Sequence, residues 1–276
     1  MLRPRTPVRA PRPAASRSRP VPARAAWRKA RAPPPPPPPP PPAATAALSA
    51  GGLLLWGGLL TYALAFSPNG TPFRDEYFVR KLVGLGEADG VAINTVFTSL
   101  FNAMGVWPAV YAALLIPAAR SRTGLPAWPF VSASFFLGFF ALGPYLALWT
   151  PDPAAVAPPT RDELGKGGIG SLCVRALESR WTAGGLAAVA ALQLGLAASA
   201  GPAAWVDYGR LFDESRFVHV TTLDFLTLSA LAPFWVANDA GRRGATPAWL
   251  PALGFLPLLG PALYLVLRPR AGDGGE

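Results

Sequence analysis

The stretch Phe217-Val218-His219-Val220-Thr221-Thr222-Leu223-Asp224-Phe225 places the chain's single histidine five positions before an aspartate in an otherwise uncharged, apolar segment. Asp224 lies about 9 Å into this segment at the rise of an α-helix. A carboxyl group at such depth is costly, so it is expected to face other helices, where it holds a neighbour, binds a ligand or moves a proton. Thr221 and Thr227, three residues either side, stack with it on one helix face. His219 is turned about 140° from Asp224 around the axis, so the two pair poorly within one helix. Near the membrane interface it can shuttle a proton or anchor the helix end.

A second polar stripe is formed by Thr95, Thr98, Ser99 and Asn102, with Asn94 adjacent. In hydrocarbon such a stripe turns inward, either to hydrogen-bond a neighbouring helix or to meet Asp224 as a buried polar centre through Asn94 or Asn102. Further along, Asn238 and Asp239 can cap a helix exit and pair with Arg242 and Arg243. The catalytic assignment therefore falls on Asp224 and His219. Asn94, Thr98, Asn102, Thr221, Asn238 and Asp239 are the candidate ligand-binding residues.

Other chemistries fit less well. One cysteine excludes a disulfide framework, and with one histidine it excludes the usual zinc spacings. No metal or cofactor is expected. Gly165-Lys166-Gly167-Gly168 lacks Walker spacing, and Gly84-Leu85-Gly86 lacks its third glycine. Ser229 is too far along the same helix to be activated by His219.

The elements that must position these residues are membrane helices. Hydrophobic residues make up 51% of the 276, and six stretches approach the roughly 20 apolar residues of a spanning helix: 47–66, 91–119, 130–149, 182–200, 218–237 and 248–267. Trp128, Trp149, Trp181, Trp205, Tyr208 and Trp249 fall at their ends, as in interfacial belts. The segment from Glu76 to Leu85 suits a short amphipathic surface helix. The expected fold is all-α, a polytopic bundle of about six spans over residues 47–270.

The two halves share landmarks. Ala50-Gly51-Gly52-Leu53 opens the first stretch and Ala183-Gly184-Gly185-Leu186 the fourth. Pro126-Ala127-Trp128 precedes a stretch with Leu142-Gly143-Pro144, and Pro247-Ala248-Trp249 precedes one with Leu259-Gly260-Pro261. With three crossings between equivalents, the pattern predicts a 3+3 inverted repeat. It also accounts for the short basic loops Arg120/Arg122 and Arg242/Arg243, which three crossings separate, so that the positive-inside rule cannot hold both on one side.

The net charge of +10 resides in the first 31 residues, which carry ten Lys/Arg and no acid. Residues 1–32 have the Arg/Ala/Ser-rich, acid-free composition of an organelle transit peptide, disordered before import. A basic tail binding acidic lipid or nucleic acid is the alternative; abrupt loss of charge at the body favours targeting, with no nucleic-acid partner expected. Residues 33–46 read as a polyproline linker, an extended spacer or an SH3-type ligand.

The segments Trp205-Val206-Asp207-Tyr208, Arg210-Leu211-Phe212, Phe217 to Phe225, Pro233-Phe234-Trp235, Leu258 to Leu265 and Pro159 to Leu164 resemble a family of cyanobacterial and plastid multi-pass membrane proteins of unassigned activity. The resemblance covers most of the body and none of the leader. His219-x4-Asp224-Phe225, the Asn238-Asp239 pair and the terminal Pro-x-x-Gly-Pro turn are more distantly similar to the plastid membrane family required for neoxanthin formation. The sequence departs from that family in two extra helices and in lacking an arginine between Asp224 and Asn238. These resemblances imply a chloroplast membrane, thylakoid or inner envelope, ahead of the mitochondrial inner membrane. They imply a protein that binds or isomerises a carotenoid or other isoprenoid without a cofactor, His219 and Asp224 moving the proton. An inverted-repeat carrier for a small solute or ion, and a non-catalytic partner of a photosynthetic complex, are the alternatives.

Overall fold

The computed structural model describes residues 42–86, 88–117, 121, 123–151, 168–243 and 246–269; the leader, nearly all of the proline run and the 159–164 loop lie outside these. Among the described residues every regular element is helical: α1 (Pro42–Thr61) with a terminal π-helical turn (Tyr62–Phe66), α2 (Pro72–Leu82), α3 (Thr95–Leu115), α4 (Trp128–Leu137), α5 (Phe139–Leu148), α6 (Ile169–Leu177), α7 (Arg180–Ser199), α8 (Pro202–Glu214), α9 (Arg216–Arg243), a 3₁₀ helix (Leu250–Phe255) and α10 (Leu259–Leu267). α1 begins at Pro42, inside the segment expected to be linker.

Four helices are long and apolar enough to cross a bilayer: Thr45–Phe66, Thr95–Leu115, Arg180–Ser199 and Arg216–Arg243. The other two expected spans fold back on themselves. The segment 130–149 breaks at Gly138, whose φ of 52° suits glycine, and α4 and α5 form a hairpin. The rings of Phe130 and Tyr145 lie 5.5 Å apart, where a continuous helix would separate them by about 22 Å. The segment 248–267 turns at Leu258, itself at a φ of 55°. Both feet of this second hairpin stand at one end of α9: Thr246 donates to the Ala240 carbonyl, and Arg243 donates to that of Pro269. Its middle reaches Pro233, against which Gly254 packs without room for a Cβ. Arms of about ten residues extend only about 15 Å, half of a hydrocarbon core.

The hairpins also reverse the expected handedness of the repeat. α3 and α9 are parallel: Phe97 meets Phe217, Trp107 meets Phe225, and the Tyr111 hydroxyl donates to the Leu228 carbonyl. An inverted repeat would oppose these two helices. The two halves do share one packing feature. Each hairpin packs its second arm on the first helix of its own half, α5 on α1 and α10 on α7. Counting each fold-back as a crossing was the source of the error.

Two ends of the bundle can now be distinguished. At one lie α2 and α8, which both start on a proline at the first turn. α2 begins at Pro72 rather than Glu76, with Asp75 in its first turn. The other is the hairpin end, where Ser121 accepts from the Thr150 amide and Arg242 lies over Trp149. Ser121 and Arg242 thus share an end; Arg120 and Arg122 lie outside the described residues.

The core runs between α3, α7, α9 and the hairpins, around Trp107, Tyr111, Tyr145, Leu228, Trp235 and Tyr264. A smaller cluster of Phe78, Phe97, Leu211 and Val218 ties α2 and α8 to the start of α3 and α9. Beside it, Lys81 and Tyr77 both donate to the Asp89 carboxylate, which in turn accepts from the Val91 amide. The hydrogen bonds from Lys81, then Tyr77, hold the Asp89 carboxyl well below its usual range. Because the folded-state value is depressed, the clasp's contribution is present above the ordinary carboxylate pKa and fades as pH falls below it. Amide exchange at Val91 should therefore show unchanged protection between pH 7 and 5, and Asp89→Ala, which removes the acceptor, should abolish that protection at both. Equal protection in the variant would rule the clasp out.

Candidate functional site

Asp224 is buried and faces the tip of the first hairpin. Its Oδ1 accepts the Phe139 backbone N–H at 2.7 Å, so it caps the start of α5, where helix N–H groups lack intrahelical partners. Gly138 permits this approach: a Cβ there would overlap the Asp224 carboxylate. The second oxygen has no protein donor among the described residues and borders a small void with Leu59, Ala63, Phe139, Phe140, Val220, Leu223 and Thr227. The Thr227 hydroxyl is spent on the Leu223 carbonyl.

His219 looks elsewhere, as its rotation around the helix requires. Its Nδ1 lies 2.9 Å from the Phe212 carbonyl, which can only accept, so Nδ1 carries the proton. In the neutral ring Nε2 then accepts from the Tyr62 hydroxyl at 3.0 Å. Phe212 stacks on the imidazole with centroids 4.0 Å apart. Tyr62 opens the π-helical turn of α1, a distortion frequent at functional positions. The sequence offered no sign that Tyr62, more than 150 residues away, is the partner of His219.

A long recess lies between α1 and α9. It has a volume of about 610 Å³ and is walled by Trp56, Leu60, Leu64, Leu137, Phe140 and Val220, with Asn69, Asp75, Arg216 and Thr221 at the α2 end. Ala63, Phe140 and Val220 border both this groove and the void at Asp224. The groove exists because α1 stands off α9 along most of its length, whereas its counterpart α7 packs directly along α3. Tyr62–His219 joins α1 to α9 near the α2 end.

Only Thr221 of the six candidate ligand-binding residues lines this groove. Asn94 is not a mid-bundle partner of Asp224. It is the N-cap of α3, accepting from the Val96 and Phe97 amides and donating to the Ala204 carbonyl and Asp207. Asn102 is exposed and Thr98 half-buried, and neither borders the void at Asp224. The parallel run of α3 and α9 explains the miss, since it sets Asn94 level with the start of α9 instead of its middle.

Asn238 accepts from Arg242 at 3.4 Å. Asp239 enters a buried ionic cluster at the hairpin end. Its Oδ2 accepts from Arg243 at 2.7 Å, Tyr264 at 2.7 Å and Arg268 at 3.0 Å. Glu178 accepts both Arg243 nitrogens, at 3.0 and 2.6 Å, and Arg268 at 2.9 Å. Pairing of Asp239 with Arg243 was legible as an i,i+4 contact; Glu178 and Arg268 were not, because they arrive from α6 and from beyond α10.

Comparison with known proteins adds no assignment: no protein-family model, no curated protein and no solved structure matches the chain.

Proposed function

We propose that this is an integral membrane protein that binds a long hydrophobic ligand of isoprenoid type in the groove between α1 and α9, with Asp224 at its inner end. The observation that carries the reading is the groove: its volume falls in the range of ligand pockets, about 300–1,000 Å³, its walls are largely apolar, and it shares lining residues with the void at the Asp224 carboxylate. In this reading the two hairpins enter the bilayer from the same side and return. Non-helical backbone at membrane depth is tolerated where protein covers it, and Asp224 supplies that cover at the tip of the first hairpin. The basic leader, on sequence grounds alone, favours a plastid membrane.

Asp224 holds a structural bond and a free oxygen at once, and Asp224→Asn separates them. Asparagine keeps an acceptor for Phe139 but cannot gain or lose a proton. Hydrophobic ligand co-purifying with the full-length protein, extracted and quantified against protein, should drop roughly tenfold in Val220→Trp, which fills the groove. Asp224→Asn should retain the ligand while losing any proton-dependent turnover of it. Unchanged ligand content in Val220→Trp, with wild-type folding, would sink the groove as the binding site.

A carrier is the second reading, and the parallel arrangement of the halves favours it, because repeats related by an axis along the membrane normal occur in transporters.

A further inference from the structure

We propose that the groove selects an acidic, phosphate-headed lipid, and that Arg216 is the residue that recognises its headgroup; the inference rests on the groove being a ligand site. Arg216 is the first residue of α9 and lines the α2 end of the groove. Its Nε is buried with no hydrogen-bond partner, and its guanidinium forms no ion pair among the described residues. A guanidinium half-buried in an apolar recess with an unspent donor is costly to leave unpaired. The other buried arginines, Arg243 and Arg268, spend their donors on Glu178, Asp239 and main-chain carbonyls.

The acid nearest in the groove is Asp75, and it is already committed. Its oxygens accept from the Thr71 hydroxyl at 3.3 Å and from the Phe217 amide at 3.1 Å. Asp75 thereby holds the start of α9, its charge set against the positive end of the helix dipole, and leaves Arg216 open. Arg74, the next cation, is paired through Nη2 with Glu214 at 2.8 Å, its Nε also unpartnered, and it does not line the groove. Arg216, the cation among the residues lining the groove, therefore presents a planar fork suited to two phosphate oxygens. Behind it lie Leu60, Leu64, Leu137 and Phe140, a path for a hydrocarbon chain. An amphipath with an acidic head at Arg216 and its chain along α1 satisfies both halves of the recess. The bilayer supplies such a molecule at high local concentration.

The test uses the full-length protein, purified and delipidated in a neutral detergent, then offered phosphatidylglycerol or phosphatidylcholine in equal amount, with bound lipid counted by native mass spectrometry. Wild type should prefer phosphatidylglycerol by roughly tenfold, the worth of one charge-assisted contact. Arg216→Gln should bring the two lipids to parity without abolishing binding, and Arg216→Lys should keep part of the preference. Val220→Trp should exclude both lipids. Equal binding of the two lipids by wild type, or a preference that survives Arg216→Gln, overturns the headgroup assignment and leaves the groove reading standing. Undiminished binding of both lipids in Val220→Trp overturns the groove and the assignment together. Should Arg216→Gln fold poorly, the wild-type preference is titrated with salt: a preference unmoved by ionic strength overturns the assignment, and one that declines supports it.

Discussion

Arg268→Leu lowers the stability of the folded protein by about 3–5 kcal/mol, the usual loss when one partner of a buried ion pair is removed. The side chains of Glu178, Asp239, Arg243 and Arg268 are between 0% and 6% exposed. Two acids and two arginines balance there, and each arginine bridges both acids. Removing one cation leaves an uncompensated negative charge out of water and strips a donor from the Ala113 and Leu177 carbonyls as well. The cluster joins the end of α9 to α6 and the foot of the second hairpin, so its loss should free both. Thermal unfolding in detergent is the measurement, and the midpoint should fall by about 10 °C. Restoring charge balance should recover part of the loss. The double variant Glu178→Gln/Arg268→Leu is expected to be more stable than the sum of its single changes. Simple additivity would show that the charges are not coupled.

Gly138→Ala is the second large effect. A side chain there meets two penalties at once. The backbone sits at φ 52° and ψ −133°, a region that non-glycine residues occupy at a cost of about 1–3 kcal/mol. The new Cβ also falls on the Asp224 carboxylate, which must move and abandon the Phe139 N–H. An unmade buried hydrogen bond costs about 1–3 kcal/mol more. The combined loss is about 2–6 kcal/mol, read as a lower unfolding midpoint and faster proteolysis near the hairpin tip. Asp224→Asn should lose less than about 1 kcal/mol, since the acceptor remains, and Asp224→Leu should lose more. If Gly138→Ala is as stable as wild type, the hairpin tip is not built as described.

How much of this was legible in the sequence depended on which signal each feature leaves. The four long helices announce themselves by unbroken apolar length, and Pro72 and Asn94 mark helix starts by local chemistry. The hairpins leave no comparable trace, because ten apolar residues followed by glycine and ten more read as one span. Only Gly138, with a φ that other residues avoid, and the Pro257-Leu258 turn hint at reversal. That ambiguity propagated to the site. Once the 130–149 segment was taken as a crossing, Asp224 was matched with Asn94 and Asn102 across the bundle. In the fold its partner is a backbone amide, which carries no residue identity to find. His219 was correctly separated from Asp224 by helix rotation, but Tyr62 and Phe212 come from other elements. Arg216 reads in sequence as an ordinary interfacial charge; its unspent donor is visible only when Asp75 and Arg74 are seen to be occupied elsewhere.

The fold-back of 130–149 and 248–267 changes the parity of the chain. In the topology proposed above, each half crosses twice and finishes on the face where it began, so a second copy joined head to tail needs no flip to insert in the same sense. A half with three crossings would have had to insert upside down, with its charge bias reversed to match. Parity also fixes where attachments emerge: fusions placed before α1 and after α10 share a compartment, and a probe in the α8–α9 turn reports from the opposite one.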